Sequence, residues 1–298
     1  MVSARARFGA LALAVSAIAF AGPFFKAAAP TPPLVASGLR LAMAAVCLLP
    51  LIVLARRRGR LPNRHLRWGL VAGVLYGLHF GAWVWSLELT SVAASVTLVT
   101  ATPLLLGVVG VLSGRDFPTP RLWGAILLAT VGVLIIGGSD LQLAGGALVG
   151  DALALLGAAA MAAYLWVVRR LGAVDPFAFT GLAAGTGAIV LLGVAALLGQ
   201  APVAASPAAW GWLALAAALP QLVGHSLLTW SLRHTTPTAV GLATVVEPVG
   251  ASLIVWLWRG EVPTVQVAVG SLIILTAVVV AVRRSRPPVR LPPGPRVG

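Results

Sequence analysis

Residues 230–248 read WSLRHTTPTAVGLATVVEP, and residues 85–103 read WSLELTSVAASVTLVTATP. The two stretches align without a gap at an offset of 145 residues, and over residues 85–119 this offset gives 9 identities in 35 positions. Much of the match falls on polar and proline residues, such as Pro103 with Pro248. Chance similarity between apolar helices does not favour such positions. The chain therefore carries an internal duplication.

The composition indicates a membrane protein. Hydrophobic residues make up 59% of the 298 residues and charged residues only 9%, whereas soluble domains carry about 25% charge. A bilayer core of about 30 Å needs about 20 apolar residues per helix. Ten apolar runs approach or exceed this length, at about residues 8–25, 34–55, 68–88, 91–113, 120–138, 148–168, 176–199, 209–232, 237–258 and 263–282. We expect an all-α polytopic membrane protein with ten transmembrane helices.

The net charge of +14 follows the predicted loops. If Met1 is cytoplasmic, 18 of the 21 Lys and Arg residues lie on the cytoplasmic side, only Lys26 and Arg259 lie outside, and Arg40 lies within a span. This bias agrees with the positive-inside rule. We therefore expect a multi-pass protein of the cell membrane with both termini in the cytoplasm. Because the arginines lie between apolar runs and not on an amphipathic surface, we expect no nucleic-acid partner.

The duplication divides the ten helices into two repeats of five, at residues 8–138 and 148–282. Since five is odd, the second repeat enters the membrane in the inverted orientation. Inverted repeats are typical of secondary transporters, whose solute site lies near the membrane midplane between the repeats. Residues 283–298 are basic and rich in proline, which predicts a disordered cytoplasmic tail.

Glu247 is an acidic residue deep inside a predicted span. A charged side chain at the bilayer centre costs about 2.5–3.5 kcal/mol, so such a residue usually faces the protein interior and has a function. The equivalent position in the first repeat is Thr102, which predicts an asymmetric site for one oriented solute. Pro103 and Pro248 follow these residues and are expected to break their helices. The alternative is a structural pair between Glu247 and Arg40 or a histidine.

Hydroxyl side chains extend this candidate site. Ser95 and Thr102 lie seven residues apart, on one face of the fourth predicted helix. Thr244 precedes Glu247 by one turn of the ninth helix and is close enough to hydrogen-bond it. The alternative is that these hydroxyls bond only to carbonyls of their own helices and hold helices together.

Two histidines occupy nearly equivalent places in the repeats, one residue out of register. His79 is followed one turn later by Trp83 on the third helix, and Gln221 precedes His225 by one turn on the eighth. A cavity lined by them suits a polar solute, and a histidine can couple transport to protons because it titrates near neutral pH. The alternative is a histidine bonded to a backbone carbonyl between helices.

Four glycines recur at four-residue spacing on the third predicted helix, at Gly69, Gly73, Gly77 and Gly81. Small residues at this spacing allow a neighbouring helix to approach closely. We therefore expect tight helix packing along this face.

Together these motifs resemble the EamA family of the drug/metabolite transporter superfamily. The resemblance rests on residues 85–94, Thr102-Pro103, residues 235–239, Glu247-Pro248 and residues 260–263, which read GEVP. Residues 114–118 read GRDFP and depart from the family pattern by an Asp for the usual Glu and one inserted Arg. Arg40 resembles the family's arginine in the second helix. The resemblance covers about residues 8–282 and implies movement of small polar metabolites, often amino acids, by alternating access.

The predicted function is secondary transport of a small polar metabolite such as an amino acid, with export the expected direction. The expected partners are that solute and the lipid bilayer; the sequence does not predict an oligomeric state. We expect no cofactor and no metal, because the chain has one cysteine, no Walker A loop and no metal-binding motif. An integral-membrane enzyme acting on a lipid-linked substrate, or a channel or scaffold, is the alternative. The candidate substrate-binding residues are Glu247, Thr244, Thr102, Ser95, His79, Trp83, His225, Gln221 and Arg40.

Overall fold

Helices form almost all of the described chain. The computed structural model describes residues 3–90, 95, 98–114, 117–137, 146–172, 174–260 and 262–282, and within these ranges it contains helices and connecting turns without a β-strand. The helices are α1 (Ala4–Ile18), α2 (Ala21–Ala27), α3 (Pro33–Arg57), α4 (Asn63–Leu89), α5 (Thr102–Leu112), α6 (Pro120–Gly137), α7 (Gly146–Leu171), α8 (Pro176–Leu197), α9 (Pro207–Ala216), α10 (Ser226–Ser231), α11 (Pro237–Thr244), α12 (Glu247–Arg259) and α13 (Val265–Val282). A π-helical segment, Ala217–His225, joins α9 to α10.

Within the described ranges, seven helical segments are long and apolar enough to cross a membrane. They are Arg5–Ala27, Pro33–Arg57, Asn63–Leu89, Ala147–Leu171, Pro176–Leu197, Pro207–Ser231 and Pro237–Trp258. Three further apolar helices, α5, α6 and α13, are shorter. The all-α multi-pass membrane architecture is thus confirmed, while the count of ten transmembrane helices stays a prediction. The predicted tail at residues 283–298 lies outside the described residues.

Proline and a capping side chain set the start of several helices. Asp175, Ser206 and Thr236 each precede a helix whose first residue is proline, and each side chain accepts a hydrogen bond from the backbone N–H three residues later. Proline fits the first helical position because the N–H there has no partner within the helix. The capping oxygen satisfies another of these unpaired donors.

Prolines also interrupt helices inside the predicted spans. The sequence predicts one helix over residues 209–232, but the structure places a π-helical segment around Pro220 between α9 and α10. Proline has no N–H for the regular helical hydrogen bond, and the wider π-helical turn accommodates it. Near the ninth predicted span's midpoint, α11 ends at Thr244 and α12 begins at Glu247, with Pro248 in its first turn.

The helix contacts repeat when the two halves of the chain are exchanged. Helix α4 packs on α7, and α1 correspondingly packs on the π-helical segment and α10. Equivalent helices also meet directly, as α3 with α8, α5 with α11 and α6 with α13. This pattern is expected when two copies of one unit are related by a pseudo-twofold axis. It places α3, α4, α8 and the π-helical segment around the centre.

The glycine-rich face of α4 packs against α8. A Cβ atom placed on Gly73 would lie 2.4 Å from the Cβ atom of Thr186, and one on Gly77 would lie 3.1 Å from the Cα atom of Gly187. Side chains larger than hydrogen do not fit at such distances without movement of the neighbour. The predicted close approach is therefore confirmed, and α8 is the partner helix.

Candidate functional site

A group of buried polar and aromatic side chains lies between the two halves. Its members come from α3, α4, α7 and the π-helical segment, and each is at most 8% exposed. We call this group the central cluster; it consists of Arg40, Tyr76, Phe80, Tyr164, Gln221 and His225. Tyr76 and Tyr164 are the two tyrosines of the sequence, and their ring centroids are 4.8 Å apart. The cluster thus gathers polar side chains in the interior of a membrane protein.

Residues at equivalent positions of the two repeats touch each other in this cluster. Gln221 follows Tyr76 by the repeat offset of 145, and the tyrosine Oη donates to the glutamine Oε1 at 3.2 Å. The glutamine Nε2 lies 2.9 Å from the same Oη, as a second donor–acceptor contact. Phe80 and His225, also 145 residues apart, contact edge to face with ring centroids 5.5 Å apart. Equivalent residues meet only near a twofold axis, so the pseudo-twofold axis passes through the central cluster.

Arg40 is the charged member of the central cluster, and it is fully buried. Its guanidinium carbon lies 4.1 Å from the ring centroid of Phe80 and 5.1 Å from that of Phe25. Its three side-chain nitrogens have no hydrogen-bond partner among the described residues. The positive charge is thus held by aromatic faces, while its N–H groups lack an acceptor among the described residues.

Glu247 stands at the first residue of α12 and is half-buried. The N-terminal end of a helix favours a negative charge, which helps to keep a carboxylate here. Its charge interacts electrostatically with that of Arg40. Since no nitrogen of Arg40 has a hydrogen-bond partner in the described chain, the two groups do not form a direct bonded pair. A basic and an acidic side chain from different repeats therefore lie within electrostatic range of each other.

His79 is tied to the backbone of α7. Its Nδ1 lies 2.9 Å from the carbonyl oxygen of Gly157, to which it donates as an N–H. Its ring stacks on Trp83 at a centroid distance of 6.3 Å. His79 thus makes the contact that the alternative interpretation predicts, a hydrogen bond to a backbone carbonyl of another helix. Trp83 is buried, and its indole N–H has no partner among the described residues.

The candidate hydroxyl side chains are bonded to nearby groups. Ser95 hydrogen-bonds to Ser86. Thr102 donates to Val99 O at 3.0 Å, and Ala158 O on α7 lies 3.4 Å away. Thr244 donates to Gly241 O at 2.7 Å, rather than to Glu247. The last contact satisfies the hydroxyl within its own helix.

The structure therefore brings together Arg40, Gln221 and His225, with His79 and Trp83 beside them and Glu247 in electrostatic range. Sequence reasoning missed four aromatic members of this region, because aromatic residues in an apolar run carry no polar signal. The repeat offset could have found two of them, since it maps Gln221 and His225 onto tyrosine and phenylalanine. The four aromatic residues are Phe25, Tyr76, Phe80 and Tyr164. Nowhere in the described chain do three His, Cys, Asp or Glu residues form a metal-binding group.

Comparison with known proteins agrees with this architecture. The model of the EamA-like transporter family matches residues 7–138 and 148–283. The chain belongs to the EamA-like transporter family. This EamA-family protein thus has the family's two-repeat architecture and is a membrane transporter of the drug/metabolite transporter superfamily.

A solved structure titled only "Crystal structure of protein" also resembles this EamA-family chain. The TM-score is 0.77 at 18% sequence identity, with 94% of this chain and 97% of that chain covered. At this identity the likeness shows the shared fold alone. No curated protein matches the sequence.

Proposed function

We propose that this EamA-family protein is a secondary transporter that exports a small polar metabolite, such as an amino acid, across the cell membrane. Two inverted five-helix repeats, residues 8–138 and 148–282, alternate access to a site between them. Both termini lie in the cytoplasm. The protein acts without enzymatic turnover, cofactor or metal.

The observation that carries the proposal is the buried guanidinium of Arg40, whose N–H groups have no hydrogen-bond partner among the described residues, in electrostatic range of Glu247. Removing a charge from water costs several kcal/mol unless a partner compensates it. A solute carboxylate accepts two parallel hydrogen bonds from a guanidinium, which is a strong and geometrically specific contact. The ammonium group of the same solute would pair with Glu247.

The surroundings favour a single orientation of the solute. Phe25 and Phe80 both contact the guanidinium with their ring faces, so its position is fixed before the solute arrives. The first repeat supplies the cation, and the second supplies the carboxylate. A dipolar solute bound between them bridges both repeats, and movement of one repeat against the other then changes its access.

The test is counterflow in liposomes that contain the purified full-length protein. A panel of amino acids is first screened for thermal stabilisation in detergent, because a ligand of the native state raises apparent stability. Hits are then loaded inside the liposomes, and uptake of the labelled solute is followed. Saturable uptake that depends on the internal solute supports the carrier. Turnover of a lipid-linked substrate without solute flux would overturn it.

Direction is tested with oriented membrane vesicles. Inverted vesicles expose the proposed cytoplasmic face, so an exporter should accumulate labelled solute in them when a gradient is supplied. Protease accessibility of the basic C-terminal tail in the same vesicles reports the orientation independently. Accumulation confined to right-side-out vesicles would contradict export while leaving the carrier intact.

A further inference from the structure

A cavity lies away from the central cluster, between the end of α7 and the residues that follow α10. Its volume is about 260 Å³, just below the range of roughly 300–1,000 Å³ that is usual for small-molecule pockets. It is lined by Val168, Arg169, Gly172, Val174, Leu232, Arg233 and His234. We call it the basic pocket. Its size suits a single small headgroup or ion better than a large ligand.

Two arginines line the basic pocket, and a third, from α1, contacts the backbone of one of its lining residues. Arg169 on α7 donates to Leu232 O at 3.1 Å. Arg7 on α1 donates to His234 O at 3.4 Å, and its Nε is buried without a partner among the described residues. Arg233 is exposed beside them. Burial, together with the charges of Arg233 and Arg7, lowers the pKa of His234 from its ordinary value of 6.5.

The carboxylate nearest along the chain to the pocket lining caps a helix. Asp175 follows Val174 directly, and its Oδ1 accepts a hydrogen bond from Ala178 N at 3.2 Å. It is thus used as the N-cap of α8. Two of the residues that line the basic pocket are arginines and none of them is acidic, so the lining carries an excess of positive charge.

The equivalent place in the other repeat has the opposite character. The offset of 145 maps Arg233 onto Glu88 and His234 onto Leu89. There Thr90 donates to Asp151 Oδ1 at 2.8 Å. The duplicated fold alone therefore does not produce a cluster of cations at this position.

We propose that the basic pocket binds a phosphate group, either of an anionic lipid headgroup or of a free phosphoanion. On the proposed topology it faces the cytoplasmic leaflet, where anionic lipids attract basic segments. Guanidinium groups bind phosphate through parallel charge-assisted hydrogen bonds. Bound phosphate would join α1, α7 and the end of α10, and so hold this end of the transporter together.

The test compares wild-type protein with Arg233→Gln and with Arg58→Gln. Arg58 is an exposed arginine at the end of α3, and so controls for the loss of one positive charge. Each protein is titrated in detergent with inorganic phosphate, and separately placed in nanodiscs of phosphatidylcholine with and without phosphatidylglycerol. Binding is read from thermal stabilisation and from the lipid retained in native mass spectrometry. Arg233→Gln should weaken binding about tenfold, which corresponds to one lost charge-assisted hydrogen bond.

The two probes distinguish the source of the phosphate. Stabilisation by inorganic phosphate that Arg233→Gln weakens supports a free anion, and selective loss of retained phosphatidylglycerol supports a lipid headgroup. In either case phosphate binding should raise the pKa of His234, measured by NMR, because an anion favours the charged imidazole. Arg233→Lys should restore part of the affinity. Equal responses of wild type, Arg233→Gln and Arg58→Gln to both probes would overturn the site without affecting the transport proposal.

Discussion

Replacing Arg40 with methionine should stabilise the protein while it abolishes recognition of the solute. The side chain is fully buried, and its nitrogens have no hydrogen-bond partner among the described residues. Burying one ion costs several kcal/mol even after its surroundings relax, and an apolar side chain of similar volume avoids this cost. The lost contacts with Phe80 and Phe25 offset about 2 kcal/mol of this. We expect a net gain of about 1 kcal/mol or more, seen as a higher unfolding temperature in detergent without solute.

The effect on solute binding should have the opposite sign. Each hydrogen bond to a charged group contributes about 1.5–3 kcal/mol. Loss of two such bonds between Arg40 and a solute carboxylate costs about 3–6 kcal/mol, which lowers affinity roughly 100-fold or more. The assays are solute-induced thermal stabilisation and counterflow uptake, measured on the same preparations. Arg40→Lys keeps the charge but not the planar fork and should recover only part of the affinity.

The opposite effects of Arg40→Met on stability and on solute binding distinguish a functional role of Arg40 from a structural one. If Arg40 held the fold through a partner, Arg40→Met would destabilise the protein by about 3–5 kcal/mol. Arg58→Met serves as the control because Arg58 is exposed, and it should change neither readout. Wild-type counterflow in Arg40→Met would refute the role of the guanidinium in binding.

Three further substitutions test the other features of the site and fold. Glu247→Gln should lower counterflow in correctly inserted protein, because a neutral amide cannot form an ion pair with an ammonium group. Glu88→Gln, at an exposed position, should leave counterflow unchanged. Equal flux in both variants would show that the charge at 247 is dispensable. Gly73→Ala should destabilise the protein by about 1–3 kcal/mol through overpacking against α8. Gly124→Ala, where a Cβ meets nothing within 4 Å, should stabilise it by about 1 kcal/mol. Thermal unfolding measures both changes, and a stabilised Gly73→Ala would contradict the close approach. Tyr76→Phe should cost about 1–3 kcal/mol in chemical unfolding, because it leaves a buried amide without its partner; an unchanged unfolding free energy would contradict that bond.

The sequence predicts the helical class and the duplication well, because both depend on local residue patterns. Long apolar runs specify helices in a membrane, and the shared prolines at Pro103 and Pro248 keep the repeat visible. Helix packing is harder to predict from the sequence, because it depends on contacts between segments that are distant along the chain. The glycines of α4 predict a close approach, but only the structure identifies α8 as the partner. The π-helical segment around Pro220 was also missed, since the apolar run continues through it.

The candidate site could be predicted only in part, for a related reason. Arg40 and Glu247 stand out because charge is rare in apolar runs. Tyr76 and Phe80 do not stand out, although the structure places both at the centre. The bonding of a hydroxyl is likewise invisible in sequence. Thr244 has the spacing to reach Glu247, but its own helix carbonyl is closer and takes the hydrogen bond.

The central cluster shows how a duplicated scaffold can hold an asymmetric site. Near the pseudo-twofold axis, equivalent residues of the two repeats contact each other. When the sequences of the repeats diverge there, such a contact joins two different side chains. Tyr76 faces Gln221 and forms a donor–acceptor pair, and Phe80 faces His225 and forms an apolar–polar pair. The pseudo-twofold axis relates the helices of the two repeats but not these side chains. The two possible orientations of a solute are therefore inequivalent. A site of this kind favours one orientation, which is what a solute with a carboxylate at one end and an ammonium at the other requires.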